Sequence, residues 1–190
     1  MTISILVTGG TGFVGRAIVD TAKEKHPGWA ITVVDLEKPL QPKSDVRHVR
    51  GDITNPAEVR RIVEQIKPDV IVHTAGIVPE LADRYKRRQR ELVWNTNVNG
   101  TKNVLDAART NGVEAVVWTG SCTAVTDDMR YQYPNIDETC PTSSHSLIYG
   151  ESKVSIRLSM HRQKPAEPRK RQLPKRWSLR RMTRSSPPAP

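Results

Sequence analysis

The first 120 residues contain five short apolar runs, separated by stretches in which apolar residues recur every three or four positions. Short runs rich in β-branched residues are typical of strands buried in a parallel sheet, whereas the wider spacing is typical of amphipathic helices. The runs predict strands at residues 3–7, 31–35, 46–50, 70–72 and 115–119.

Three helices are predicted between these strands. The first runs from Phe13 to the break at Pro27-Gly28, the second begins with Asn55-Pro56, and the third covers roughly residues 94–110 before Asn111-Gly112. The apolar stripes of the first two are Val14, Ala17, Ile18 and Ala22, and Val59, Ile62, Val63 and Ile66. Strands that alternate with helices across short connections predict a doubly wound α/β fold, a Rossmann-type parallel sheet.

The end of the chain differs in composition from the rest. Residues 154–190 carry 11 Lys and Arg against one acid, while the preceding residues carry 19 basic and 19 acidic side chains, so the formal charge of +10 belongs to the tail. Six prolines fall within residues 161–190, which predicts a disordered, basic tail after a domain at 1–160. Its Lys/Arg clusters permit nucleic-acid or anionic-lipid binding, but the neutral domain supplies no such field and no nucleic-acid partner is expected.

Targeting and metal signals are not evident. Residues 3–7 follow no basic leader and run into Gly9 and Gly10, which predicts neither a signal peptide nor a membrane span, and we expect a cytoplasmic protein. Cys122 and Cys140 are too few for a disulfide framework or a zinc site, so no metal is expected.

A glycine-rich motif joins the first strand to the first helix. Residues 8–15 place Gly9, Gly12 and Gly15 three apart, where backbone can approach a pyrophosphate at a helix N-terminus. Such a triplet also occurs in tight turns without a ligand, but here Asp35 closes the second strand twenty residues later. A carboxylate there binds ribose hydroxyls and repels a 2′-phosphate, so NAD is favoured over NADP.

A second constellation is Tyr149 and Lys153, four residues apart and therefore on one helix face. A nearby ammonium favours the ionised phenol, which lets a tyrosine act as a base near neutral pH. By itself the spacing also fits a packed Tyr and a surface Lys. Ser121 follows the fifth strand at the edge where doubly wound sheets bind ligands, and Thr123 is its rival as hydrogen-bond donor to a substrate.

Together these residues resemble the extended short-chain dehydrogenase/reductase family over about residues 3–154. In family order the resemblance is carried by the glycine motif, Gly51-Asp52-Ile53, His73-Thr74-Ala75-Gly76, Asn97-Val98-Asn99-Gly100-Thr101, Ser121 and the Tyr149/Lys153 pair. Residues 103–108, 112–113 and 118–138 are most similar to the 3β-hydroxysteroid dehydrogenase and sterol-4α-carboxylate 3-dehydrogenase branch, particularly its fungal members.

The resemblance implies roles for individual residues. Tyr149 would be the acid/base, Lys153 would bind the nicotinamide ribose and lower the pKa of Tyr149, Ser121 would orient the reacting hydroxyl, and Asn97 would support the proton relay. The cofactor NAD would be bound by Gly9, Gly12, Phe13, Val14, Gly15, Asp35, Asp52, Ile53, Ala75, Gly76, Tyr149 and Lys153.

The implied activity is NAD-dependent oxidation of a secondary alcohol, the 3β-hydroxyl of a sterol or terpenoid. Family members continue into a C-terminal substrate domain that this sequence lacks, so weak or no turnover is expected of a truncated product. A nucleotide-sugar epimerase or dehydratase, and a non-catalytic dinucleotide binder, stay open as alternatives. The sequence leaves the oligomeric state open, a homo-oligomer included.

Overall fold

A computed structural model describes residues 2–39, 41–80, 83, 87–126 and 147–162. The tail predicted to be disordered lies outside these ranges except for residues 161 and 162, which end the last helix. The boundary predicted near residue 160 and the disorder beyond it therefore stay predictions.

Five parallel strands form one sheet in the order β3-β2-β1-β4-β5. All five predicted strands are confirmed, with bounds β1 Ser4–Thr8, β2 Ala30–Asp35, β3 Val46–Arg50, β4 Val70–His73 and β5 Ala115–Trp118. The chain moves outward from β1 to β3 and then returns to place β4 on the other side of β1. The strand order therefore reverses between β1 and β4, the place where sheets of this kind bind ligands.

Helices cover both faces of the sheet. They are α1 Phe13–Lys25, α2 Pro56–Ile66, α3 Arg90–Val93, α4 Thr101–Thr110, α5 Thr123–Thr126 and α6 Ile148–Arg162, with a 3-10 turn at Arg87–Gln89. The start of α2 follows the sequence signal, because the Asn55 side chain accepts a hydrogen bond from the Glu58 N–H and Pro56 is at the first helical position. Among the described residues, no helix combines the length and apolar character that a bilayer crossing requires.

Each face of the sheet has its own apolar core. The face covered by α2 and α4 buries Leu6, Ile71, Val104 and the predicted α2 residues Val59, Ile62 and Val63. The opposite face packs Ile5, Val7 and Val33 around Val19 of α1. The fold class predicted from the sequence is thus confirmed, with helices on both sides of a parallel sheet.

The predicted apolar stripe of α1 is wrong in its first half, whereas Ile18 is half-buried and Ala22 packs against the core. Its buried residues are Gly15 and Val19, while Val14 and Ala17 are exposed. The reason lies in the turn before it, since a Cβ at Gly15 would stand 2.2 Å from the Gly9 carbonyl oxygen. The glycine face must therefore pack against the end of β1, and this contact sets the helix orientation.

The third predicted helix begins earlier and contains an irregular turn. It starts with α3 at Arg90, and a π-helical segment, Trp94–Gly100, links α3 to α4. This wider turn buries Asn97, Val98 and Gly100. Single π turns in a helix are often found at functional sites, and nothing in the apolar spacing indicated this one.

Replacing Gly15 with alanine should destabilise the protein strongly. The new Cβ would lie 2.2 Å from the Gly9 carbonyl oxygen and 2.7 Å from the Gly10 Cα, so backbone would have to move. We expect a loss of about 2 kcal/mol or more in the free energy of unfolding, measured by urea denaturation. Gly28→Ala is the matched control, since nothing lies within 4 Å of its Cβ position. Equal stability of the two variants would contradict the packing argument.

Candidate functional site

The carboxyl ends of β1 and β4 meet in a crevice formed by close backbone packing. Gly9 has a φ of +71°, and a Cβ there would lie 2.6 Å from the Ala75 nitrogen. Only glycine fits this position, because the left-handed conformation and the space both exclude a side chain. The Thr74 hydroxyl donates to the Thr8 carbonyl at 2.7 Å and closes the crevice at its base.

A groove of about 420 Å³ opens from this crevice. Seven of the predicted cofactor residues line it, namely Gly9, Gly12, Asp35, Asp52, Ile53, Ala75 and Gly76. The structure adds lining residues that sequence reasoning missed: Thr11, Leu36, Thr54, Thr74, Ile77, Leu92, Asn95 and Thr96. Thr11 and Leu36 adjoin predicted residues in sequence, but Leu92, Asn95 and Thr96 reach the groove only because the helix around the π-helical segment passes over it.

Five predicted cofactor residues do not line this groove, namely Phe13, Val14, Gly15, Tyr149 and Lys153. Phe13 is 94% exposed and Val14 is 49% exposed at the start of α1. Gly15 is buried against the turn that precedes it. Gly15 therefore packs against the Gly9-Gly10 turn and does not face the groove.

Asp35 lines the groove and is held by three hydrogen bonds. One carboxylate oxygen accepts from the Thr11 N–H at 3.0 Å and from the Thr11 hydroxyl at 2.6 Å, and the other accepts from the Leu36 N–H at 2.8 Å. Of the roughly four lone-pair sites of a carboxylate one stays free, which suits one further donor such as a hydroxyl group. Asp52 caps its own turn, since its side chain accepts from the Thr54 N–H and hydroxyl, each at 2.8 Å.

Lys153 of α6 is buried beside the end of β5. Its ammonium donates to the Thr119 carbonyl at 3.0 Å and lies 4.9 Å from the Trp118 ring centre and 5.3 Å from that of Tyr149. Burial lowers the pKa of Lys153 to about 8. The predicted pairing of Tyr149 and Lys153 on one helix face is thus present.

Ser121 follows β5, and its hydroxyl lies 2.8 Å from that of Thr123. The two rival donors named from the sequence therefore share one hydrogen bond. Ser121 precedes α5 and Thr123 is its first residue, and α5 packs against α6. The loop at the end of β5 is in this way tied to the helix that carries Tyr149.

Asn97 connects the π-helical segment to α6. Its side-chain oxygen accepts from the Ile77 N–H at 2.7 Å, and its side-chain nitrogen donates to the Ile77 carbonyl at 2.9 Å and to the Ser152 hydroxyl at 3.2 Å. The Ser152 hydroxyl in turn donates to the Tyr149 carbonyl at 2.6 Å. Asn97 thus fixes both the loop after β4 and the first turn of α6.

His73, fully buried at the end of β4, continues this chain of hydrogen bonds into the sheet. Its Nε2 lies 2.8 Å from the Thr101 hydroxyl, which donates to the Asn97 carbonyl at 2.6 Å. Because the single hydroxyl proton of Thr101 is used there, Nε2 must carry a proton and Nδ1 must accept from the Thr8 hydroxyl. Burial, with a smaller contribution from the charge of Lys153, lowers the pKa of His73 to about 3, so the ring is neutral.

A protein-family profile described as "NAD dependent epimerase/dehydratase family" matches residues 5–166. The chain is 33% identical over 162 residues to the decarboxylating sterol-4-alpha-carboxylate 3-dehydrogenase of Candida albicans, covering 80% of this chain and 43% of the relative. It is 36% identical over 157 residues to the 3-beta-hydroxysteroid dehydrogenase of Mycolicibacterium neoaurum, covering 79% of this chain and 40% of the relative. The chain therefore spans less than half the length of these curated relatives.

Solved structures show the same fold. The Thermus thermophilus UDP-glucose 4-epimerase, crystallised as a complex with NAD, superposes with a TM-score of 0.71 at 25% identity. The superposition covers 84% of this chain and 50% of the epimerase.

Acidification should destabilise the protein through His73. The unfolded chain takes up a proton near the ordinary pKa of 6.5, whereas the folded chain does so near 3. The unfolded state binds more protons between these values. As the pH is lowered, the contribution of His73 to the free energy of unfolding should therefore fall by up to about 1.4 kcal/mol per pH unit.

Urea denaturation between about pH 7 and about pH 4 measures this dependence. His73→Gln should be less stable at neutral pH and should show a shallower slope over the same range, because it lacks the titrating group. The same slope in both proteins would show that His73 is not the buried neutral group described above.

Proposed function

The chain belongs to the NAD dependent epimerase/dehydratase family, and we propose that its domain binds NAD in the groove between β1 and β4. The pyrophosphate would lie over Gly9 and Gly12 at the start of α1, where Gly12 offers no side-chain cap to the first helical turn. The N–H groups and dipole of that turn suit a negative charge. The NAD complex of the epimerase structure supports this assignment.

Asp35 supports NAD over NADP. Its carboxylate faces the groove and is fixed by Thr11 and Leu36, so its remaining lone pair would accept a hydrogen bond from an adenosine ribose hydroxyl and its charge would repel a 2′-phosphate. Asp52 and Ile53 would border the adenine, and Ala75 and Gly76 would line the opposite wall. Phe13 and Val14, which are exposed, would contact the cofactor only at the mouth of the site.

We propose that the chemistry is oxidation of a secondary alcohol beside the end of β5, where Lys153 and Ser121 lie. Bound NAD supplies the hydride acceptor. The Tyr149 phenol would take the hydroxyl proton, with Lys153 beside its ring to favour the ionised form and to bind the nicotinamide ribose. Ser121 would donate a hydrogen bond to the substrate oxygen, with Thr123 holding its hydroxyl. Asn97 would support the proton relay while its side chain bonds to Ile77 and Ser152.

The observation that carries this function is the buried Lys153 ammonium, which lies 5.3 Å from the centre of the Tyr149 ring. It occurs in a chain whose β1–β4 groove also presents the Asp35 carboxylate, held by Thr11. A structural lysine would not be expected in such a place, since burial disfavours the charged form of its ammonium. Perturbed groups of this kind cluster at functional sites.

A 3β-hydroxysterol or a related terpenoid alcohol is the proposed substrate. The names of the relatives from Candida albicans and Mycolicibacterium neoaurum favour a sterol. The epimerase structures favour the second candidate, a nucleotide sugar. The third candidate is a protein that binds the dinucleotide without turnover. It is kept because this chain spans less than half the length of its curated relatives.

Titration with both cofactors tests the dinucleotide assignment. We expect NAD to bind at least about tenfold more tightly than NADP, the size of one charge-assisted hydrogen bond. Asp35→Ala should relax this preference, whereas Asp45→Ala, which removes a carboxylate paired with Lys23 outside the groove, should leave it unchanged. Tighter binding of NADP to the unchanged protein would overturn the assignment.

Tyr149→Phe tests the proposed chemistry. It should lower NAD-dependent oxidation of a 3β-hydroxysterol by roughly a hundredfold or more, the contribution of a general base. Its NAD affinity should stay within about twofold, because the phenol hydroxyl is not needed to hold the dinucleotide. Turnover of UDP-glucose in place of the sterol would favour the epimerase, and NAD binding with no turnover of either would favour the binder.

A further inference from the structure

Glu151 stands between Tyr149 and Lys153 in α6 but belongs to another face of the helix, two positions from each. Its two carboxylate oxygens are occupied separately. Arg90 donates to one at 2.9 Å and Arg87 donates to the other at 3.1 Å. We call Arg87, Arg90 and Glu151 the Glu151 clamp.

The clamp corrects an expectation about the basic run at residues 84–90, which the charge pattern predicts to be a solvated helix face balanced by nearby acids. Residues 84–86 lie outside the described ranges. Arg88 fits the expectation, since its side chain is 77% exposed and lies 3.7 Å from Asp83. Arg87 is also solvated, with a side chain 66% exposed, but it pairs with Glu151 and not with a nearby acid. Arg90 departs from the expectation, because it is only 40% exposed and its partner is Glu151, more than sixty residues further along the chain.

Arg90 is itself restrained. Its guanidinium lies 4.7 Å from the ring centre of Trp94, the first residue of the π-helical segment. The Glu151 carboxylate is 30% exposed and the Arg90 side chain 40% exposed, so the contact is shielded more than an ion pair on an open helix surface. Arg90 thus links the segment that contains Asn97 to the helix that contains Tyr149.

The first turn of α6 needs such a link because its own sequence holds it weakly. Gly150 and Ser152 are poor helix formers within it. The neighbouring Ile148 and Ile156 are buried and hold the helix against the domain. The Ser152 hydroxyl, 3.2 Å from the Asn97 side-chain nitrogen, supplies a polar contact on one side. The clamp supplies a charged contact on another, and together they determine the rotation of the turn.

We propose that Arg90, assisted by Arg87, is a positioning residue that acts through Glu151 to set the Tyr149 and Lys153 side chains against the end of β5. Its significance for catalysis rests on the function proposed above. The contact itself is a property of the fold. Since the clamp is an ion-pair network near the surface, the alignment of α6 should weaken as salt is added.

Four variants of the full chain test this inference, and Arg90→Lys is added for the titration below. Arg90→Gln removes one charge of the clamp, Glu151→Met removes its acceptor, and the double variant shows whether the arginine acts through the glutamate. Arg88→Gln is the matched control, because it removes the same charge from the same run without a contact to Glu151.

Hydrogen exchange of the amides at residues 151–155 is the first readout. Arg90→Gln should speed it roughly fivefold, the effect expected for a partly shielded ion pair. Glu151→Met should do the same or more, and the double variant should add little to Glu151→Met. Arg88→Gln should stay near the unchanged protein. Rates in Arg90→Gln no faster than in Arg88→Gln would overturn the proposal.

The second readout is the pKa of Lys153, measured by NMR of its ε-methylene group. A lower overall stability by itself would not change this pKa in the folded protein. Loosening the turn should hydrate the ammonium and raise its pKa from about 8 toward the ordinary value of 10.5 in Arg90→Gln and at high salt. Arg90→Lys, which keeps the charge, should restore part of the shift. An unchanged Lys153 titration in Arg90→Gln would show that the clamp does not position the site.

NAD affinity separates this proposal from the proposed function. If the unchanged protein binds NAD, Arg90→Gln should bind it several-fold more weakly and Arg88→Gln should not. If the unchanged protein does not bind NAD, the proposed function fails, while the exchange and titration measurements still decide whether the clamp holds α6.

Discussion

The hydrogen-bond chain that passes through His73 is the constraint on which the site depends. A neutral, fully buried imidazole has one donor and one acceptor, and both are used, toward Thr101 and Thr8. The chain then has one direction, from the end of β1 through Thr101 and Asn97 to Ser152 and the backbone of Tyr149. A buried polar network of this kind is stable only when every member is satisfied, so a change at one member displaces the next.

This chain explains why the irregular turn before α4 is tolerated. The π-helical segment gives up regular helical hydrogen bonding, and Thr101 and Asn97 compensate with contacts to the sheet and to the loop after β4. In return the segment brings Asn95 and Thr96 to the groove and Asn97 to α6. The same few residues therefore shape the dinucleotide groove and hold the helix that carries Tyr149.

The other fixed point is the backbone contact between Gly9 and Ala75, which brings β1 and β4 close enough to form the crevice. Gly15 packs against the same turn and thereby sets the orientation of α1. Two kinds of attachment hold α6 in turn. Asn97 and Ser152 are buried and insensitive to salt, whereas the Glu151 clamp is charged and partly exposed. Packing thus determines where the groove lies, and polar contacts determine how α6 is placed beside it.

The sequence by itself determined the five strands, their parallel direction, α2 with its cap and stripe, and the groove residues Gly9, Gly12, Asp35, Asp52, Ile53, Ala75 and Gly76. Those features follow from local signals, namely apolar spacing, caps and glycines at strand ends, which act within a few residues. The rotation of α1, the π-helical segment and the partners of Arg90 and His73 were decided only by the tertiary structure. Some of them are contacts between residues far apart in the chain, such as Glu151 with Arg87. Others, such as Gly15 against the Gly9-Gly10 turn, depend on backbone geometry. The spacing of apolar residues does not indicate which side chains or backbone atoms come into contact in these ways.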